Sequence, residues 1–319
     1  MVDNAVMNLK RAGAAGGFLV LLGAAFLATG KDSAPGSIIS VAKGVWFREG
    51  EIATLGHCNN IIIEMKDYLI VVDANFPSGA RAAMADAKKV SPKPVKYVFD
   101  THHHGDHAYG NAVWTEAGAT TLAYRGVVEE MNRYEPARWL STAKERKDVG
   151  DLGKTDAERP KQTFDKSPFV LKDETREVQF MHLGWAHTRG DGFVWLPKER
   201  VLATGDAVVN GPYNYTADGN IGNWQQVAAN AMKLKPRIVL PGHGASGGME
   251  IMTGQKQFMV DLHRAAVDAV KAGTTEEAFL GTKLPAGDAN WIPKDPSSDL
   301  RDAYREVKMG KPTGDLEHK

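Results

Sequence analysis

The chain has 319 residues, 43% of them hydrophobic, which is enough for a large buried core. Lys and Arg total 39 and Asp and Glu total 39, so the formal net charge is zero. That balance leaves no basic surplus to grip nucleic acid.

The N-terminus reads as a separate segment. Lys10 and Arg11 precede an apolar and small-residue run from Ala12 to Ala28, followed by Thr29 and Gly30. A charged start, an apolar middle and a small-residue end describe a secretory signal peptide. The length of the run also suits an uncleaved membrane anchor. Residues 1–39 are therefore expected to form a signal peptide or membrane anchor plus linker. The protein would be periplasmic or secreted, or else membrane-anchored.

From residue 40 the pattern becomes β-like. Strands are predicted at 41–47, 60–65 and 68–73, the last two joined as a hairpin at Lys66-Asp67. Asp73 ends the apolar run Leu69-Ile70-Val71-Val72 and reads as a turn carboxylate or one that orients a ligand. Cys58, the one cysteine, excludes an intrachain disulfide and reads as a small buried hydrophobe, with His57 beside it structural. Residues 81–90 have helical spacing and are stopped by Pro92 and Pro94; 95–99 then form a buried strand, completing a β-α-β unit. Residues 111–114 open the next unit, 120–123 read as a strand, and 126–147 as an interrupted charged helix. Residues 148–166 show little apolar periodicity and read as an irregular insertion or lid. Further strands are expected at 178–183, 192–196, 201–203 and 237–240, and helices at 224–234, 258–272 and 298–308. Thr274-x-x-Glu277 has the form of a capping box opening a helix near 275–280.

The chemistry concentrates in Thr101-His102-His103-His104-Gly105-Asp106-His107, which with gaps is H-x-H-x-D-H. His102 and His104, two apart, can turn their rings to one side, while Asp106 and His107 face a neighbouring position. Imidazole with carboxylate is a donor set for zinc or iron. Three later motifs supply more donors: His187 in a glycine-bounded turn, Asp206 in Thr-Gly-Asp, and His243 in Pro-Gly-His-Gly. Each follows an apolar segment, and open α/β sheets build sites at such ends.

This set resembles the metallo-β-lactamase-fold hydrolase superfamily, over roughly residues 45–265. The resemblance implies an α/β fold, an αββα sandwich of two mixed β-sheets with external helices. It implies a catalytic domain at 40–272 and a C-terminal extension at 273–319 packed on it. It implies two zinc ions per chain, with iron or manganese as alternatives. His102, His104 and His187 would hold the first, Asp106, His107 and His243 the second, and Asp206 would bridge them. His103 would orient neighbours or meet solvent. Asp191 and Thr188 are candidates for orienting ligand rings.

The activity implied is a zinc-dependent hydrolase in which a metal-bridging hydroxide cleaves an ester, thioester, lactone or amide-type bond in a small molecule, Asp106 serving as ligand and catalytic carboxylate. The β-lactamase branches usually carry cysteine or serine where Asp206 stands, so the bridging aspartate is more similar to glyoxalase II-like and lactonase-like hydrolases. β-Lactam hydrolysis, as main or side activity, and a non-catalytic metal-binding role on the same fold are the alternatives. Tyr213, Tyr215 and Asn220, on the polar loop after Asp206, are the candidate substrate residues, a tyrosine hydroxyl or the Asn220 amide acting as oxyanion donor. Oligomeric state is left open, and a membrane partner is expected only with an uncleaved anchor.

Overall fold

Strands buried on both faces need apolar residues at every position, and the alternation then sorts them between two cores. The computed structural model, which describes residues 34–316, shows this sorting directly. In Asn60–Glu64, Ile61 and Ile63 enter one core and Ile62 the other; in Leu69–Val72, Ile70 and Val72 part in the same way from Leu69 and Val71. The signal or anchor segment expected before residue 31 lies outside the described residues. Among those described, no helix is long and apolar enough to cross a membrane.

Seven strands make the first sheet, in sequential order: β1 (Ile38–Ala42), β2 (Val45–Arg48), β3 (Asn60–Glu64), β4 (Leu69–Val72), β5 (Val95–Asp100), β6 (Thr120–Tyr124) and β7 (Gln162–Phe164). β1 to β4 pair antiparallel, and β4 to β7 parallel. Five make the second: β8 (Phe169–Lys172), β9 (Glu177–His182), β10 (Gly192–Leu196) and β11 (Val201–Gly205) run antiparallel, and β12 (Ile238–Pro241) closes it parallel to β11. The sheets face each other across Phe47, Ile63, Val72, Phe99, Phe180, Val194 and Leu240.

Helices cover both outer faces. They are α1 (Ile52–Leu55), α2 (Pro77–Val90), α3 (Gly105–Ala108), α4 (Asn111–Glu116), α5 (Arg125–Tyr134), α6 (Ala137–Glu145), α7 (Lys147–Gly150), α8 (Ile221–Met232), α9 (Met249–Lys271), α10 (Glu276–Phe279) and α11 (Ser297–Met309). On the first sheet, Ala80, Ala83 and Ala87 of α2 and Trp114 of α4 pack over Ile62, Val71 and Val98. On the second, Trp224 and Val227 of α8, Phe258 and Leu262 of α9, and Leu300 and Tyr304 of α11 pack over Phe193, Trp195 and Leu202. The layers are α, β, β, α.

Several elements differ from the sequence reading. Residues 41–47 are not one strand, because the chain reverses at Lys43-Gly44 and β1 and β2 pair as a hairpin. The 126–147 segment is helical with interruptions as expected, α5 and α6 parting at Pro136, which has no N–H to donate, and α7 opening at Lys147. Residues 148–166 are not irregular throughout, since they hold the end of α7 and β7, and Val149, Ala157 and Phe164 anchor them in the core. α2 starts at Pro77, a favourable first helical position, and α9 starts nine residues before Phe258. Gly254 obscures the period of α9, because a side chain there would collide with the Trp291 ring. The cap of α10 is Thr275 rather than Thr274: its hydroxyl accepts from the Ala278 N–H.

Candidate metal centre

Five strands end at one edge of the sandwich, and each delivers a polar residue just past its last position. Asp73 follows β4, His102 to His107 follow β5, His187 lies on the loop after β9, Asp206 follows β11, and His243 follows β12. The sheets are tied together there: Gly192 N–H donates to the Thr101 carbonyl at 2.7 Å, and Asn59 N–H to the Gly242 carbonyl at 2.8 Å.

The histidines fall into two groups of converging ligand atoms. His102, His104 and His187 form one; Asp106, His107 and His243 form the other; Asp206 joins His102 and His107 in a third that overlaps both. His187 Nε2 lies 2.9 Å from His104 Nδ1. Asp206 Oδ2 lies 3.9 Å from His187 Nε2 and 3.5 Å from His107 Nε2, so one carboxylate faces both groups. Asp106 Oδ2 lies 3.4 Å from His107 Nε2 and 3.1 Å from His243 Nε2.

Hydrogen bonds on the far sides of the rings decide which nitrogen is left for a metal. Asp73 governs one ring of each group. Its Oδ2 accepts from His107 Nδ1 at 2.9 Å. Its Oδ1 accepts from the Thr101 N–H and hydroxyl, both at 2.8 Å, and that hydroxyl oxygen in turn faces His102 Nδ1 at 3.1 Å. The Nε2 atoms of His102 and His107 are thus turned inward, buried and without a hydrogen-bond partner. Asp218 accepts from His104 Nε2 at 2.8 Å, which leaves His104 Nδ1 facing His187.

Unpartnered buried nitrogens are costly unless something takes their lone pairs. The electrostatics agree. Burial, with neighbouring imidazoles second, pushes His102 well below the ordinary histidine range and His187 down to about 3, keeping both neutral and ready to donate. Burial also works to lower His243, but Asp206 and Asp106 outweigh it and raise that ring to about 9. Without an ion, the two carboxylates draw positive charge from imidazole; with a divalent cation they need not. The donors present fit metal ions.

Other sequence candidates divide. Tyr213 and Tyr215 line a cleft of about 530 Å³ that opens onto Asp106, Asp206 and His243. Asn220 does not line it: its side-chain oxygen accepts from the Asn223 N–H and caps α8, because the first amides of a helix need acceptors. His103 is buried, its ring stacked on Tyr134 with centroids 5.2 Å apart. The Asp191 carboxylate orients none of the candidate ligand rings. It accepts from the backbone amides of Ala186, His187 and Thr188 and from the Thr188 hydroxyl, and so holds the loop instead.

Three features escaped the sequence reading. Asp218, on the same polar loop as the candidate substrate residues, is wholly buried behind His104 and bound to Arg138. Arg138 had no signal, lying in a charged helix with no motif. The third is the set of contacts by which the C-terminal extension, expected to pack on the catalytic domain, braces the loop after Asp206. Glu306 of α11 accepts from the Ile221, Gly222 and Thr313 amides, and the Thr216 hydroxyl donates to Asp302 at 2.7 Å.

The sequence model of the metallo-beta-lactamase superfamily matches residues 53–243. A metallo-beta-lactamase type 2 from Bacillus cereus is 25% identical over 225 residues, 66% of this chain and 77% of that protein. The alpha subunit of a 2,4-dinitroanisole O-demethylase from Nocardioides sp. (strain JS1661) is 24% identical over 233 residues, 72% of this chain and 66% of that subunit. The crystal structure of DIM-1 metallo-beta-lactamase superposes with a TM-score of 0.57 at 20% identity, covering 71% of this chain and 98% of that one. The mono-zinc form of FIM-1 from Pseudomonas aeruginosa gives 0.55 at 21%, covering 73% and 98%. With the family match spanning more than half of the chain and the fold agreeing, this chain belongs to the metallo-beta-lactamase superfamily of hydrolases.

Proposed function

We propose that the protein is a dinuclear metal-dependent hydrolase, zinc being the first choice of metal, acting on an ester, thioester, lactone or amide-type bond in a small molecule. The observation that carries this is the place of Asp206, whose Oδ2 lies within 3.9 Å of a nitrogen from each histidine group. His102, His104 and His187 would hold one ion, Asp106, His107 and His243 the other, and Asp206 would bridge. Such ions, when bound, would supply water activation near neutral pH and stabilisation of charge developing on a carbonyl oxygen.

The chain's own residues supply the rest. Asp106 faces the cleft with 25% of its side chain exposed, against 7% for Asp206, so it is the carboxylate placed to hold a proton released in the reaction. Phe76, Tyr109, Tyr213 and Tyr215 give the cleft aromatic walls, suited to an apolar acyl or ring substituent. The apolar run before residue 30 supports an exported or membrane-anchored protein.

A second reading, β-lactam hydrolysis, is favoured by the likeness to the Bacillus cereus enzyme. A harder carboxylate at Asp206 in place of a thiolate supports it as a side activity only. Elemental analysis of protein purified without chelator should approach two metals per chain; one metal under zinc excess would remove the bridge. Turnover should be measured on esters, thioesters, lactones, β-lactams and 2,4-dinitroanisole. β-Lactam kcat/KM is expected below about 10⁴ M⁻¹s⁻¹. Rates near 10⁶ M⁻¹s⁻¹ on β-lactams, roughly mid-range for enzymes, with silent esters and lactones would establish the second reading instead.

A further inference from the structure

Side chains from three segments meet behind the ring of His104. Asp218, whose side chain is wholly shielded from solvent, accepts from His104 Nε2 at 2.8 Å. Arg138, on α6, grips the same carboxylate with both terminal nitrogens, Nη1 donating to Oδ2 at 2.6 Å and Nη2 to Oδ1 at 2.8 Å. Nη1 also lies 3.2 Å from His103 Nε2. The guanidinium carbon sits 3.7 Å from the ring centre of Tyr134, the residue on which His103 stacks. Arg138 keeps 31% of its side chain exposed and lines the cleft.

We propose that Arg138 is a positioning residue of the metal centre: from the cleft wall it fixes Asp218, and through Asp218 the ring of His104. This rests on the reading that His104 holds a metal. A carboxylate held at one oxygen can rotate about its Cβ–Cγ bond. One held at both by a planar fork cannot, so the direction from which Oδ2 meets His104 Nε2 is set. With Nε2 set, so is the direction of Nδ1. Tyr134 and His103 in turn hold the guanidinium in its plane. Lysine would supply the charge but not the fork. The two-nitrogen edge of the guanidinium is committed to Asp218, so that edge is not the one a substrate anion would meet.

The test uses the full-length protein with Arg138→Lys, Arg138→Met, Asp218→Asn and the double variant Arg138→Met/Asp218→Asn. Zinc affinity is read by competition with a chromophoric chelator, and ligand geometry by the visible bands of the cobalt-substituted protein. kcat and KM are read on the panel substrate that the wild type turns over best. Both Arg138 variants should weaken one zinc site by about 10–100-fold, the range for removing a ligand's orienting partner, and leave the other site intact. The cobalt bands should shift, and kcat should fall with KM nearly unchanged. The double variant should bind zinc no more weakly than Asp218→Asn alone, because Arg138 acts through Asp218. Should Arg138→Met not fold, Arg138→Lys and the double variant decide the matter. Wild-type zinc affinity in Arg138→Lys with a raised KM would overturn the proposal and make Arg138 a substrate contact. Equal weakening of both sites together with a lower melting temperature would overturn it in favour of a general structural role. A wild type that binds no zinc would bring down the hydrolase reading first and this inference with it.

Discussion

Gly242 is where the smallest change should do the most local damage. It lies between β12 and His243, and a methyl group there would overlap Oδ1 of Asp206. It would also stand 2.7 Å from the Gly205 carbonyl carbon and 3.0 Å from the Asp206 amide, where ordinary contact begins at 3.4 Å. Backbone conformation raises no objection to Gly242→Ala, so the effect is purely steric. Something must give by on the order of 1 Å, and misplacement on that scale costs catalysis roughly 100-fold. Gly205 ends β11, pairs with Pro241 of β12 and accepts from the Gly242 N–H at 2.9 Å, so the backbone is held and the Asp206 side chain yields first. Overpacking a buried site costs about 1–3 kcal/mol, which in a domain of this size lowers the melting temperature by roughly 2–10 °C. Gly242→Ala should therefore purify with close to one metal per chain instead of two and lose about 100-fold in kcat. Elemental analysis, a thermal melt by circular dichroism and steady-state kinetics check all three. Two tightly held metals with wild-type kcat would show that Asp206 is not confined as the geometry requires, and the bridging argument would fail.

Other perturbations probe the supports. Asp73→Asn removes a charged acceptor shared by the two histidine groups, so zinc affinity should fall by about 10–100-fold at both sites in a chelator competition; an effect on one site alone would contradict the shared role. EDTA should lower the melting temperature and added zinc restore it, since zinc at a thousandfold its Kd stabilises by about 4 kcal/mol; a melt indifferent to chelator would count against metal occupancy. His57 is held down to about 4 by burial first and then by Arg48 and Arg146, against an ordinary value of 6.5. Its folded pKa is depressed, so between pH 6.5 and 4 the unfolded chain takes up a proton that the folded chain refuses. Stability should accordingly fall as pH drops through that window, and His57→Asn should flatten the slope in urea unfolding at stepped pH.

The candidate donors that the fold brings together were legible because metal chemistry uses few side chains and because each follows an apolar run. His102 to His107 come after Val95–Phe99, Asp206 after Val201–Ala203, and His243 after Ile238–Leu240. Sites at the ends of strands carry such local signatures, and runs apolar at every position mark strands covered on both faces. The layered α/β architecture was implied by the resemblance those donors carry, not by the apolar pattern alone. What orients the donors was legible only in part: Asp73, at the end of an apolar run, read as a carboxylate that orients a ligand, but which ring it serves did not, and neither did Asp218 nor Arg138. Asp218 and Arg138 are 80 residues apart, Asp73 and His107 are 34 apart, and Glu306 and Ile221 are 85 apart. Nothing in the neighbourhood of Arg138 distinguishes it from the other cations of a charged helix. Asn220 shows the converse: its polar loop suggested a substrate contact, but the start of α8 claimed its side chain. A ligand is chosen by its own chemistry, which the chain spells out locally. Its orientation is chosen by the partner on its far side, and only the packing of two sheets and their helices brings that partner within hydrogen-bond reach.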